Sequence, residues 1–322
     1  MEDESTDGYN EGEGTVILSV SRRTDIPAYY SAWFLNRLGA GFALVPNPHN
    51  PLRLSRVALS PESVDCIVFW SKNPGPMADS LPRVEEMGYP FYFQFTLTPY
   101  GPQVEPGLPP KEELVRIFRT LSRMVGPKRV VWRYDPVIVD DRYSTVWHLA
   151  QFQALCGALE GSAERCIFSF VDPYRHTGNP CRQMTQEECL AVTEGFGRIA
   201  AEHGFSLFTC AEPLDLSGYG VGHAACIDPE LVEQVIGCPI RTAKDLGQRP
   251  ACGCCESVDI GVYNTCPGGC VYCYATTGRA VALRCAAEHD SAAPMLTGWP
   301  RGDEQISDRA ASSLKITQTT LF

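Results

Sequence analysis

The chain has 322 residues, is 44% hydrophobic and carries a formal net charge of −11. That length allows a large buried core, as one (β/α) barrel or two ordinary domains, and is too great for a minimal module. An acidic chain gives no support to nonspecific nucleic-acid binding through bulk charge, although a local basic patch stays open.

Residues 1–14 hold Glu2, Asp3, Glu4, Asp7, Glu11 and Glu13, no base and almost nothing apolar, and are expected to be a disordered acidic tail. Beyond it, short apolar runs alternate with helical stretches. A strand at 16–20 runs into Ser21-Arg22-Arg23-Thr24-Asp25 and is followed by a helix at 28–38 and a strand at 42–45. The strand at 66–70 ends in Ser71-Lys72-Asn73, and another follows at 91–97. After a helix at 111–125, the strand at 130–134 carries Arg133 and runs into Asp135. A helix at 145–159 precedes a strand at 166–171, which ends at Asp172. A helix at 186–203 leads to a strand at 205–209, which ends in Cys210 and Glu212. The series closes with a helix at 229–236, a strand at 258–262 and a helix at 275–288.

These strands are rich in β-branched and aromatic residues, as parallel strands covered on both faces are. No repeat at solenoid periods is visible. The alternation predicts an α/β fold, a TIM-like (β/α) barrel, complete or partial, over residues 15–290, with 291–322 as a C-terminal tail. In such a barrel the polar strand ends share one rim, where active sites form. Arg22, Arg23, Asp25, Lys72, Arg133 and Asp135 are the catalytic candidates on it. Some of these would equally serve as loop salt bridges or helix caps, Asp25 before Pro27 above all.

No apolar run reaches membrane-spanning length, and the start of the chain lacks a basic region followed by an apolar stretch. The expectation is a cytoplasmic protein with no membrane partner. Its 15 cysteines then read as reduced thiols and metal ligands rather than disulfides.

The informative segment is 259–275, Asp259-Ile-Gly-Val-Tyr-Asn264-Thr-Cys266-Pro-Gly-Gly-Cys270-Val-Tyr272-Cys273-Tyr274-Ala275. Three cysteines stand at C-x₃-C-x₂-C spacing on a short Gly-rich loop. Iron–sulfur cubanes normally take four cysteines, so a three-cysteine loop leaves one iron open to an outside ligand. A zinc site would want a fourth Cys or His nearby, which Cys252 or Cys254 would supply, so zinc stays open. A second set, Cys210, Cys226, Cys238, Cys252, Cys254 and Cys255, gathers within 210–255; Cys252-Gly-Cys254 can place two thiolates on one metal. An auxiliary iron–sulfur cluster, a structural zinc or a set of buried reduced thiols would each account for it. Cys66, Cys156, Cys166, Cys189 and Cys285 fall in predicted strands or helices and read as core filling.

The segment resembles the cluster loop of the radical SAM superfamily, and Gly269-Cys-Val-Tyr-Cys-Tyr-Ala275 is similar to the loop of spore photoproduct lyase-like members. The resemblance implies a 4Fe–4S cluster on Cys266, Cys270 and Cys273, S-adenosylmethionine on its open iron, and reductive cleavage to a 5′-deoxyadenosyl radical. It also implies an electron donor such as flavodoxin or ferredoxin. Tyr272, Asn264, Gln94, Ser169 and Glu212 are the candidates for cofactor contacts. In ordinary radical SAM enzymes the loop follows the first barrel strand, whereas here it follows the last predicted one. Moving one β/α unit from front to back of a cyclic arrangement preserves its place in space, and would set 258–262 beside 16–20. Ser19-Val-Ser-Arg-Arg-Thr-Asp25, Ile67-Val-Phe-Trp-Ser-Lys-Asn73, Trp132-Arg-Tyr-Asp-Pro136 and the cysteine segment together resemble an uncharacterised bacterial family, domain of unknown function 1848.

Three functions compete on these residues: a radical SAM enzyme of unknown substrate, a noncatalytic metal-binding protein with a structural or redox-sensing role, and a metal-independent barrel hydrolase or lyase. The last lacks a recognisable nucleophile–base pair. The terminal Gln318-Thr-Thr-Leu321-Phe322 resembles the peptide with which bacterial polymerases and repair proteins bind the sliding clamp. That would tilt the chemistry toward nucleic-acid repair or modification; docking of Leu321 and Phe322 on their own barrel is the plainer alternative.

Overall fold

The computed structural model describes residues 16–172, 181–309 and 314–316. The acidic head and the clamp-like residues Gln318, Leu321 and Phe322 lie outside them.

The strands are β1 (Val16–Val20), β2 (Phe42–Asn47), β3 (Asn50–Ala58), β4 (Val64–Ser71), β5 (Phe91–Thr96), β6 (Val130–Val137), β7 (Arg165–Phe170), β8 (Ser206–Cys210), β9 (Val221–Ala224), β10 (Val258–Asp259) and β11 (Gln305–Asp308). The helices are α1 (Ile26–Tyr29), α2 (Ser31–Ala40), α3 (Gly75–Ala78), α4 (Leu81–Glu86), α5 (Lys111–Val125), α6 (Thr145–Leu159), α7 (Gln186–Glu202), α8 (Pro229–Ile236) and α9 (Arg279–Ala287).

Eight strands form one parallel sheet in the order β10-β1-β4-β5-β6-β7-β8-β9. The fold is therefore α/β, an eight-stranded parallel sheet flanked by helices. Among the described residues no ladder joins β9 to β10. Strand alternation divides the core in two. Leu18, Ile67, Phe69, Phe93, Trp132 and Phe168 share one apolar cluster with residues of α2, α5, α6 and α7. Their sequence neighbours Ile17, Cys66, Val68, Tyr92, Val131 and Ile167 point the other way, onto α8 and the 210–255 cysteines. All eight residues of β4 are buried, as a central strand covered on both faces requires.

Helix signals in the sequence translate directly. α5 buries Leu114, Phe118, Leu121 and Val125, a 3–4 spacing, with Glu112 and Glu113 in its first turn and Arg123 in its last. α7 begins with a reciprocal capping box between Thr185 and Glu188. α8 is capped by Asp228 and stopped by Gly237 in the left-handed conformation.

Three expectations change. The run at 42–45 is a strand, but β2 belongs to a separate three-stranded sheet, β11-β3-β2. The eighth place in the main sheet is taken by the short β9, whose Gly-rich sequence hides it. The helix expected at 28–38 is divided at Tyr30, where α1 ends and α2 begins. Of the strand expected at 258–262, only Val258 and Asp259 pair. The tail also docks on the body: β11 pairs in parallel with β3, and the Leu314 carbonyl accepts from the Arg241 N–H at 2.7 Å. Among the described residues no helix is long and apolar enough to cross a membrane.

Candidate functional site

At the C-terminal ends of the parallel strands lies a cavity of about 590 Å³. Its wall takes Arg22, Arg23 and Asp25 after β1, Trp70 and Lys72 at β4, Arg133 and Asp135 on β6, and Ser169 on β7. Both cysteine sets face it as well: Cys266, Cys270 and Cys273 from the loop, and Cys210, Cys226, Cys252 and Cys254 from the second set. Every catalytic and metal candidate read from the sequence thus meets at one concavity, with Ser169 and Tyr272 of the cofactor candidates.

The loop is aimed by bonds that join distant parts of the chain. β10 pairs in parallel with β1, Leu18 opposite Val258 and Ser19 opposite Asp259. The Asp259 carboxylate accepts from Ser19 Oγ and Ser21 Oγ, both at 2.7 Å, from Arg22 N at 2.8 Å and from Gly261 N at 2.9 Å. Tyr30 Oη donates to the Thr265 carbonyl at 2.5 Å. The Gly107 N–H donates to the Gly268 carbonyl at 2.9 Å, and the Val271 N–H to the Val104 carbonyl at 3.0 Å. Backbone N–H groups of Asp25 and Gly268 face the Cys266 sulfur and those of Ala275 and Thr276 the Cys273 sulfur, each favouring the thiolate. Burial pushes the Cys266 thiol up to about 12, with the Asp25 carboxylate adding to it.

Beside the loop stands a buried ion network. Glu105, 2% exposed, accepts from Lys72 Nζ at 2.9 Å, from Thr98 Oγ1 at 2.7 Å, and from Lys111 Nζ and Tyr272 Oη. Burial opposes its charge, yet Lys72 and Lys111 prevail and hold its carboxyl down at about 2. Lys72 also lies 5.3 Å over the Tyr272 ring. Asp25 is a cap and more: its carboxylate accepts from Ala28 N at 3.0 Å, from Ser71 Oγ at 2.7 Å and from Lys72 N at 2.8 Å. Burial nevertheless raises its carboxyl to about 6. Across the cavity, Asp135 pairs with Arg133 and accepts from Ser169 Oγ. The Arg22 and Arg133 guanidiniums lie over the Trp70 ring at 5.4 and 5.0 Å. Thr24 Oγ1, Trp70 Nε1 and Arg133 Nε are buried with no hydrogen-bond partner among the described residues.

Three cofactor candidates stand off the cavity wall. Gln94 is buried under it, donating to the Cys226 carbonyl at 2.6 Å. Asn264 sits at φ 61 and ties the loop to Thr277, its Oδ1 accepting from Thr277 N at 2.7 Å. Glu212 accepts from the Phe170 N–H at 2.9 Å, and burial raises its carboxyl to about 7. Sequence reasoning missed Asp259 and Glu105. Asp259 carried a signal, since an acid inside an apolar run must be bonded once buried. Glu105 lies in a Pro- and Gly-rich stretch with no periodicity to place it.

Among the described residues no group of three or more His, Cys, Asp or Glu side chains stands in the arrangement of a formed metal site. The fit to an iron–sulfur cluster is one of donor type and placement. Three half-buried thiols on one pinned loop face a cavity with room for a ligand.

No curated protein matches the chain. Among solved structures, one from Bacteroides thetaiotaomicron VPI-5482, described as a candidate alpha-L-fucosidase, aligns over 67% of this chain and 79% of its own at 11% identity. Its TM-score of 0.29 carries no argument about fold or function. The family model for the domain of unknown function DUF1848 matches residues 17–275, and with most of its length inside that match the chain belongs to the DUF1848 family.

Proposed function

We propose that this protein is a radical SAM enzyme, built as a partial (β/α) barrel whose cluster-bearing first β/α unit stands at the end of the chain. The observation that carries the reading is the meeting of Cys266, Cys270 and Cys273, on one short loop, with the polar strand ends at a single cavity. The parallel pairing of β10 beside β1 supports the displaced unit, since it sets the loop where a first-strand loop would stand.

Cys266, Cys270 and Cys273 would hold a 4Fe–4S cluster. When bound, that group would supply one electron from an external donor to S-adenosylmethionine, whose sulfonium would break into methionine and a 5′-deoxyadenosyl radical. The chain's own residues position and shield. Tyr272, fixed by Glu105, and Lys72 form one wall beside the loop. Trp70 and Arg133, the latter paired with Asp135, line the other. Arg23 brings positive charge to the cavity wall, suited to a substrate with anionic groups, while Arg22 is ion-paired with Asp245.

The test is anaerobic reconstitution with iron and sulfide, then dithionite and S-adenosylmethionine, with chromatographic detection of 5′-deoxyadenosine. Product is expected from the wild type and none from Cys266→Ala, Cys270→Ala or Cys273→Ala. A wild type that takes up zinc but no iron would overturn the reading. One that takes up iron yet makes no 5′-deoxyadenosine would leave a structural or redox-sensing role instead.

A further inference from the structure

Four thiols outside the loop converge in the smaller core. Cys210 closes β8, Cys226 follows β9 by two residues, and Cys252 and Cys254 come from the irregular stretch before β10. Cys226 Sγ lies 3.1 Å from Cys210 Sγ. Cys252 and Cys254 lie beside this pair in the same buried cluster, each interacting electrostatically with it. A tetrahedral ion with metal–sulfur bonds of about 2.3 Å sets its sulfurs roughly 3.8 Å apart, so Cys210 and Cys226, at 3.1 Å, would have to part slightly to take it. A cubane puts each thiolate on a separate iron and spreads the sulfurs further.

The surroundings suit a closed ion site. All four residues are buried. Arg22 and Arg133 both interact electrostatically with this set, so the negative charge of a tetrathiolate would have counter-charges in place. The Ile227 N–H donates to Cys254 Sγ at 3.3 Å, the kind of backbone bond that orients a ligating sulfur. The chain needs a fastener here: from 237 to 257 it forms no helix and no strand, yet it covers one face of the parallel sheet. Cys255 is not part of the group; its thiol bonds Thr242.

We propose that Cys210, Cys226, Cys252 and Cys254 form a closed four-thiolate site for a single zinc ion, which staples the 237–257 segment to the ends of β8 and β9. The site is independent of the radical SAM reading and does not need it to hold.

The experiment uses the full chain carrying Cys266→Ala, Cys270→Ala and Cys273→Ala, purified anaerobically, so that failure of the loop chemistry cannot affect the result. Metal analysis should find roughly one zinc per chain and no labile sulfide, as for a structural tetrahedral site. Adding Cys226→Ser should remove the zinc. Because a Cys226→Ser chain can fail to fold, the triple variant is also produced with cobalt in place of zinc. The intense visible bands of tetrahedral tetrathiolate cobalt are expected. Iron with labile sulfide in the triple variant, no bound metal, or a weak octahedral cobalt spectrum would each overturn the proposal.

Discussion

His148 shows how burial sets a protonation state that the sequence does not advertise. It is fully buried, with Nε2 2.7 Å from the Ile138 carbonyl and Nδ1 2.8 Å from Tyr134 Oη. A neutral ring serves both, donating from Nε2 and accepting the tyrosine hydroxyl at Nδ1. Burial lowers its pKa to about 4 from 6.5. The unfolded chain then binds the proton more readily than the folded one between those values. Stability is whole above pH 6.5 and falls as pH drops from 6.5 toward 4, by on the order of 3 kcal/mol in full. Urea denaturation at pH 7, 6, 5 and 4.5 should show the decline, and His148→Gln should flatten it. Glu105 acts in a lower window. Its depressed carboxyl contributes stability above pH 4.5 that is lost as pH falls toward 2. Glu105→Gln leaves Lys72 and Lys111 half-buried without their counter-charge and should cost about 1–3 kcal/mol at pH 7. An unchanged denaturation midpoint would show that the lysines find other partners. The cysteine loop and the charged strand ends were legible in the sequence because spacing and strand position identify them. Glu105 was not, because its role comes from two lysines and a tyrosine brought in by other elements.

At the scale of elements, the loop is held as much by what it rests on as by its own sequence. A Cβ added at Gly107 would stand 2.5 Å from the Gly268 carbonyl oxygen and 2.7 Å from its Cα. Both are backbone, so neither can swing aside. Gly107→Ala should push the loop away from the 104–107 turn at a cost of about 1–3 kcal/mol. The expected result is a folded protein with unchanged circular dichroism and a reduced iron content after reconstitution. Full iron retention would show that the turn does not seat the loop. Legibility varies at this scale for physical reasons. α5, α6 and α8 match their sequence readings, α5 through its 3–4 apolar spacing, α6 through the Ser144 cap, and α8 through the Asp228 cap and the Gly237 stop. β3 carries Arg53, Arg56 and Pro51 along an exposed strand, so its pattern reads as loop. β2 was visible as a strand, but which sheet it joins is set by β3 and β11, not by its own residues.

At the scale of the whole molecule, parts of the chain far apart in sequence meet at the edge of the parallel sheet. β1 opens the parallel sheet in sequence and β10 comes 240 residues later, yet they lie side by side. Two backbone pairs are a short ladder, and the Asp259 carboxylate supplies what it lacks. It accepts four hydrogen bonds, three of them from the β1 end at Ser19, Ser21 and Arg22. Removing it strands those donors in a mostly buried place, where each unsatisfied group costs about 1–3 kcal/mol before relaxation or water offsets part of it. Asp259→Ala should therefore lower global stability by roughly 3 kcal/mol. It should act locally first, by releasing β10 and the cysteine loop together. The Ile260 N–H, which donates to the Ser19 carbonyl at 3.2 Å, is the reporter. In native-state hydrogen exchange it should lose protection by more than the β5 and β6 amides do. The Cys266→Ala, Cys270→Ala, Cys273→Ala variant separates the two causes, since it removes the ligands and leaves the carboxylate in place. There Ile260 should keep its protection while iron binding disappears. Equal loss across all strands in Asp259→Ala would mean that the carboxylate supports the sheet as a whole and does not hold the loop to it.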